Sequence, residues 1–130
     1  MKIGELARKA GLSSSAIRFY EKAGILPRAL RQSGQRRFTD EAHLHLTVIE
    51  IARSAGFTIA EIRALFHGFE KSTPASARWR RLAAQKEREI DLQIARLRSM
   101  QKLLRKSMRC RCIQLEDCGR ILLSRRETGC

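Results

Sequence analysis

The sequence predicts a mainly all-α protein with a compact helical head, one long helix and a short tail. Three observations support this prediction. Apolar residues recur with the helical period in several short segments of residues 1–70, and glycines or prolines punctuate these segments. Residues 76–108 contain neither proline nor glycine, as one long helix requires. Alternation typical of strands is almost absent.

The composition favours a polyanionic partner. Lys and Arg number 27 against 13 Asp and Glu, for a formal net charge of +14. Nucleic acid is favoured over a membrane because the basic residues are not gathered on one amphipathic segment. The sequence contains no run of about 18 apolar residues, so it predicts no transmembrane helix. Its first residues lack the apolar stretch of a signal peptide. We therefore expect a cytoplasmic protein without membrane contact.

The first two predicted helices have the spacing of a helix-turn-helix, and ordinary packing of two short helices is the alternative. The first covers Ile3–Lys9 and ends at Gly11, and the second runs to about Ala23. Two helices joined by a short turn that contains glycine are typical of this motif. Ser14 and Ser15 open the second helix; if it is the recognition helix, as the family resemblance described below implies, base contacts are usually made at this end.

A basic segment over residues 28–38 predicts a short hairpin, or wing. It has Ser-Gly at its centre and apolar residues at its flanks. Backbone amides near Gly34 can approach a phosphate closely, and Arg31, Arg36 and Arg37 supply positive charge. The alternative is a solvated loop that happens to be basic.

Two further helices complete the predicted head. The third runs from Asp40 to about Ser54. We expect its core face to consist of Leu44, Leu46, Val48, Ile49 and Ile51. The fourth follows Thr58, and Glu61 three residues later gives the spacing of a capping box.

The long helix is expected to pair with a second copy of the chain. Its apolar residues fall mostly three, four or seven apart, which leaves a narrow stripe on a helix of about 50 Å. A head of about 70 residues cannot bury such a stripe, so a coiled-coil homodimer is the simplest solution. The alternative is a helix folded back on its own head. The predicted parts are a head (1–70), a hinge (71–75), a dimerisation helix (76–109) and a tail (110–130).

The tail carries all four cysteines, and three of them form a Cys-x-Cys-x5-Cys pattern. These are Cys110, Cys112 and Cys118, and Cys130 is the fourth. Clustered cysteines in a reducing compartment indicate metal or redox chemistry rather than a disulfide scaffold. Thiolates bind soft cations and iron–sulfur clusters, and the neighbouring arginines favour the thiolate form. The alternative is a set of inert, buried cysteines.

The order of these parts resembles the MerR family of transcription regulators. The resemblance is carried by KIGELA at residues 2–7, AIRFYEKAGIL at 16–26, RRF at 36–38 and IEIARSAGFTIAEI at 49–62. It implies a winged helix-turn-helix head, an antiparallel coiled-coil homodimer and double-stranded promoter DNA as the partner. In this family an inducer makes the dimer deform the promoter so that RNA polymerase can use it, which implies RNA polymerase as a further partner.

The same resemblance assigns roles to individual residues. It places the second helix in the major groove and implies that Arg18 and Tyr20 contact DNA. Arg36 and Arg37 match the wing, whose basic residues contact the backbone. Arg18 can donate two hydrogen bonds to a guanine edge or a phosphate, and Tyr20 can donate one to a phosphate.

The tail resembles the SoxR branch of that family, whose redox regulators hold a [2Fe–2S] cluster. Cys110, Cys112 and Cys118 match the last three of the four cluster cysteines, and the first falls on Ser107. A cluster normally takes four ligands, which Ser107 or Cys130 would complete. A soft metal ion held by the three cysteines is the equally weighted alternative.

We therefore expect a sequence-specific transcription regulator, not an enzyme, whose C-terminal cysteines sense a metal or redox signal. The sequence contains no Cys-x-x-Cys in a βαβ setting and no constellation of Cys, His and acidic residues that would predict catalysis. The alternative is a basic architectural DNA-binding protein whose tail is a structural metal site. Such a protein would bind DNA with little sequence preference and a steep salt dependence.

Overall fold

Six helices and one two-stranded hairpin make up residues 1–125, which are the residues that the computed structural model describes. The elements are α1 (Ile3–Ala10), α2 (Ser14–Lys22), β1 (Leu30–Gln32), β2 (Gln35–Arg37), α3 (Asp40–Ser54), α4 (Ile59–His67), α5 (Ala75–Ser107) and α6 (Leu115–Arg125). This order confirms the mainly helical class. The chain divides into two compact units, Met1–Lys86 and Glu87–Cys130.

A tight turn joins α1 to α2 and confirms the predicted helix-turn-helix. Gly11 has a left-handed backbone with φ 69°, which favours glycine, and the N–H of this residue donates to the carbonyl oxygen of Ala7. The Ser13 hydroxyl oxygen then accepts the N–H of Ala16 at 3.1 Å, so Ser13 is the N-cap of α2.

The predicted wing is an antiparallel hairpin in which Arg31 of β1 lies opposite Arg36 of β2. Its turn residues, Ser33 and Gly34, both have positive φ, at 51° and 77°. Two consecutive positive φ values are those of the hairpin turns that match the twist of the flanking strands.

The core of the first unit forms where α1 to α4 meet. Its largest fully buried side chains are Leu6, Ile17, Ile25, Leu46, Ile49 and Ile62. The expected core face of α3 was partly wrong, because Leu44 and Ile51 are 63% and 59% exposed. The buried residues of α3 are Ala42, Leu46, Ile49 and Ala52. These positions follow the helical period along one stripe, and Leu44 and Ile51 lie on the opposite side of the helix.

Residues at the N-terminus of α4 contact side chains from the first turns of α5. The predicted capping box is present: the Thr58 hydroxyl accepts the N–H of Glu61 at 3.2 Å, and Glu61 Oε1 accepts the N–H of Thr58 at 2.8 Å. Lys86 Nζ donates to the same Oε1 at 2.7 Å and lies 5.5 Å from the centre of the Phe57 ring. Trp79 packs edge-to-face on Phe57, with 6.1 Å between ring centres. The beginning of α5 therefore belongs to the first unit.

The second unit is built from the remainder of α5, a short linker and α6. Apolar side chains of this part of α5 are exposed: Ile90, Leu92, Ile94, Leu97, Met100, Leu103 and Leu104. Helix α6 was not predicted from the sequence, because Gly119 interrupts the helical pattern of the tail. An ion pair of 2.7 Å between Arg120 and Asp117 lies along it.

Within residues 1–125 no helix combines the length and the apolar character that crossing a membrane requires. The long helix begins at Ala75, one residue earlier than expected, and Ser76 is its second residue. The carbonyl oxygen of Pro74 accepts the N–H groups of Ala77 and Arg78, which starts the helix.

Replacing Thr58 with alanine should lower the free energy of unfolding by about 1 kcal/mol, because the N-cap hydrogen bond of α4 is lost. Thr39→Ala is the matched control, since Thr39 is the N-cap residue of α3 but its side chain makes no capping hydrogen bond. Urea denaturation followed by circular dichroism measures both. Equal losses in the two variants would contradict the capping role of Thr58.

Candidate DNA-binding surface and cysteine site

A basic cleft separates α2 from the wing. Its volume is about 400 Å³, and five basic residues line it: Arg18, Lys22, Arg28, Arg31 and Arg36. Three of these, Arg18, Arg31 and Arg36, come from the set expected to bind DNA. The fold therefore brings α2 and the wing together as one positively charged surface.

A buried carboxylate fixes the wing to α2. Glu21 is 8% exposed, and its two oxygens accept the N–H of Ala29 at 2.7 Å and a guanidinium N–H of Arg36. Burial alone would raise the pKa of Glu21, but the hydrogen bonds from Arg36 and Ala29 and the charges of Arg36 and Arg28 outweigh it and lower the pKa. Arg36 thus anchors the wing and also lines the cleft.

A second cleft, of about 540 Å³, lies on the other side of α2. Tyr20 and Ser15 from the expected set line it, together with Arg53 of α3. The Tyr20 hydroxyl donates to Glu50 Oε1 at 2.9 Å and accepts from Arg53 Nη1 at 2.6 Å. Burial raises the pKa of Tyr20, and Glu50 raises it further. The Tyr20 proton is therefore directed at Glu50, and Arg53, whose side chain is 52% exposed, carries the positive charge of this cleft.

Sequence reasoning did not single out Arg53. Its one signal was its place in the family-like segment at residues 49–62. The other expected residues are dispersed: Ser14 is the first residue of α2 and half-buried, Gly34 is exposed at the hairpin turn, and Arg37 is half-buried opposite Leu30.

The three tail cysteines converge. The Sγ atoms of Cys110, Cys112 and Cys118 all lie within 4.8 Å of one another, and those of Cys110 and Cys118 are 3.4 Å apart. Cys110 and Cys112 precede α6, and Cys118 lies in its second turn. Cys110 and Cys112 are each in the disulfide-bonded form. Because a metal ion binds deprotonated thiols, both cysteines must be reduced before the three sulfurs can act as a ligand set.

Ser107 and Cys130 are the two residues expected to complete a set of four ligands. The Ser107 hydroxyl donates to the carbonyl oxygen of Leu103 at 2.8 Å, within α5. Cys130 lies outside the described residues. Among residues 1–125, the three cysteines are the group of His, Cys, Asp and Glu side chains whose arrangement suits a metal ion.

Glu21→Gln should destabilise the protein at pH 7 by about 1–3 kcal/mol, since a charged acceptor of two hydrogen bonds is lost. The pKa of Glu21 is depressed in the folded state, so its contribution is full above the ordinary value of 4.5 and is lost as pH falls through the folded pKa. The difference between the variant and wild type should therefore shrink in acid. Unfolding in urea at pH 7 and at about pH 3 measures it, with Glu5→Gln on the exposed side of α1 as control. A difference independent of pH would contradict this role.

Comparisons with known proteins agree with this architecture. Residues 1–68 match the family model described as "MerR HTH family regulatory protein", and residues 45–106 match the model described as "MerR, DNA binding". The HTH-type transcriptional regulator CueR of Salmonella typhi is 36% identical over 105 residues, which are 80% of this chain and 76% of that protein.

Two further proteins extend the comparison. The heavy metal-dependent transcription regulator 2 of Rhizobium meliloti is 31% identical over 106 residues, 81% of this chain and 72% of that protein. The crystal structure of the transcription regulator PbrR691 from Ralstonia metallidurans CH34, in complex with lead(II), superposes with a TM-score of 0.73 at 24% identity, covering 99% of this chain and 94% of that one. The helix-turn-helix head, the wing and the long helix thus identify the chain as a member of the MerR family of DNA-binding transcription regulators.

Proposed function

We propose that this chain regulates transcription at a promoter in response to a soft metal ion held by Cys110, Cys112 and Cys118. The observation that carries the proposal is the convergence of three sulfur atoms within 4.8 Å in a member of the MerR family. Sulfur ligands select soft cations over hard ones. The Rhizobium relative, named as heavy metal-dependent, supports a metal as the signal.

The two clefts on either side of α2 are the proposed DNA contacts. Arg18 reads base edges or holds a phosphate, and Ser14 and Ser15 lie at the end of α2 that enters the groove. Arg31, Arg36 and Arg37, with the backbone at Gly34, hold the phosphates next to the wing. In the second cleft Arg53, oriented by the Tyr20 hydroxyl, offers an N–H fork to a phosphate.

A homodimer is the proposed working form. The exposed apolar side chains of α5 in the second unit, such as Ile94 and Leu97, form a surface that an isolated chain leaves in water. A second copy of α5 in an antiparallel coiled coil covers it most simply. We propose the parts 1–70, 71–75, 76–109 and 110–130 as head, hinge, dimerisation helix and sensor tail, with RNA polymerase as the partner at the promoter.

A [2Fe–2S] cluster and thiol oxidation are the redox alternatives for the same cysteines. A cluster needs a fourth ligand, and the Ser107 hydroxyl is already bonded to the carbonyl of Leu103. Thiol oxidation is the second candidate signal, since the three sulfur atoms lie within 4.8 Å of one another. We place a metal ion first because the three sulfur atoms lie within 4.8 Å of one another and a relative is named as heavy metal-dependent.

Arg18→Ala should weaken DNA binding by about 1–3 kcal/mol if the arginine makes a bidentate contact to a base. The DNA is a duplex that the wild-type protein selects from random sequences, and fluorescence anisotropy measures the affinity. Arg98→Ala, which removes one exposed charge from α5 in the second unit, is the control. Unchanged affinity of the Arg18 variant would remove this residue from the reading surface.

Cys118→Ser should leave operator affinity unchanged but abolish induction. The measurement is transcription in vitro by purified RNA polymerase from a promoter that carries the selected duplex, using reduced protein with and without Ag(I), Pb(II), Zn(II) or arsenite. Bound metal and acid-labile sulfide are assayed on the same protein. Retained induction would exclude the tail as sensor, and loss of folding in the variant would indicate a structural metal site instead. Iron and sulfide in stoichiometric amounts would indicate a cluster.

A further inference from the structure

Phe19 is a large apolar side chain that α2 leaves in solvent. It is 53% exposed, whereas Ile17 and Tyr20 of the same helix are almost fully buried. We propose that Phe19 determines sequence specificity by contacting the 5-methyl group of a thymine in the major groove of DNA. This inference rests on the proposed placement of α2 in that groove, and it names one base feature that the helix recognises.

The exposed residues of α2 form one face of the helix. They are Ser15, Arg18, Phe19 and Lys22. Ser15 and Phe19 lie about one turn apart, as do Arg18 and Lys22, so the four side chains are neighbours on the side of the helix opposite the buried Ile17. This face therefore carries three side chains that can form hydrogen bonds and one phenyl ring.

Two basic clefts border this face. Arg18 and Lys22 line the cleft toward the wing, and Phe19 lines the cleft that contains Arg53. In the proposed complex both clefts hold phosphates, so the ring between them faces the base edges of the groove. An apolar protein surface is a poor occupant of the same position, because it would remove the flanking cations from water without pairing them.

The phenyl ring is supported by a neighbour on its own helix. Phe19 and Tyr20 pack edge-to-face, with 5.8 Å between ring centres and 63° between ring planes. The Tyr20 hydroxyl is itself hydrogen-bonded to Glu50 and Arg53. Phe19 therefore packs against a ring that two other side chains hold in place, and it loses less freedom when it contacts DNA.

The chemistry of the ring selects the base feature. A phenyl group has neither a hydrogen-bond donor nor an acceptor, so Phe19 cannot read the polar pattern of the base edges. The 5-methyl group of thymine is the apolar group that the major groove presents, and phenylalanine is one of the side chains suited to contact it. Contact between the ring and this methyl group removes apolar surface of both from water, which favours binding.

The test removes the methyl group and the ring separately and together. The DNA is a duplex that the full-length wild-type protein selects from random sequences. In copies of this duplex each thymine in turn is replaced by deoxyuridine, which keeps the base pairing but lacks the methyl group. Fluorescence anisotropy at constant salt measures the affinity. At one thymine position we expect deoxyuridine to weaken binding of the wild type about 4-fold, the effect of burying one carbon. Phe19→Ala should bind the two duplexes equally.

Leu44→Ala is the matched control, since Leu44 is 63% exposed on α3 and lies outside both clefts. It should keep the preference for thymine, and circular dichroism checks that both variants fold. A Phe19→Ala protein that still prefers thymine at that position, or a wild type that ignores every methyl group, overturns the thymine contact. In both cases the selected duplex is still bound, so the proposed DNA-binding function stands. A wild type that selects no sequence overturns both.

Discussion

Two N–H donors converge on the buried carboxylate of Glu21, and the proposed DNA-binding surface depends on this convergence. One donor is the backbone of Ala29, on the segment that leads into the wing, and the other is Arg36 of the wing itself. A buried carboxylate without partners costs several kcal/mol. Separation of the wing from α2 would deprive the Glu21 carboxylate of its hydrogen-bond donors. These hydrogen bonds therefore keep Arg18 and Arg36 on one surface.

The carboxylate of Glu61 likewise connects two elements of the first unit, α4 and α5, by accepting hydrogen bonds from both. Its Oε1 atom accepts both the N–H of Thr58, at the start of α4, and Lys86 Nζ, from α5. The hydrogen bond from Lys86 lowers the pKa of Glu61 more than burial raises it. Phe57 and Thr58 also line the cleft that contains Arg53. The first turns of α5 and the surface next to α2 thus share one set of contacts.

The cysteine site follows a different principle, because it depends on local chain geometry rather than on a core. Two of its sulfurs come from the linker before α6 and the third from α6 itself, so the helix sets the distance between them. Side chains around them are mostly exposed. An ion bound there would therefore lie in a mostly exposed segment.

The sequence by itself determined the helix-turn-helix, the wing, the capping box and the long helix. Each is specified by neighbours in sequence: Ser13 and Thr58 as caps, Ser33-Gly34 as a turn, and an uninterrupted helical segment. Only the tertiary structure decided which face of α3 is buried, leaving Leu44 and Ile51 in solvent. It also decided that the Tyr20 hydroxyl makes hydrogen bonds with Glu50 and Arg53, and that the Glu21 carboxylate accepts a hydrogen bond from Arg36. These contacts join residues 15 to 33 positions apart, and their partners are chosen by the packing of helices, which no local pattern encodes.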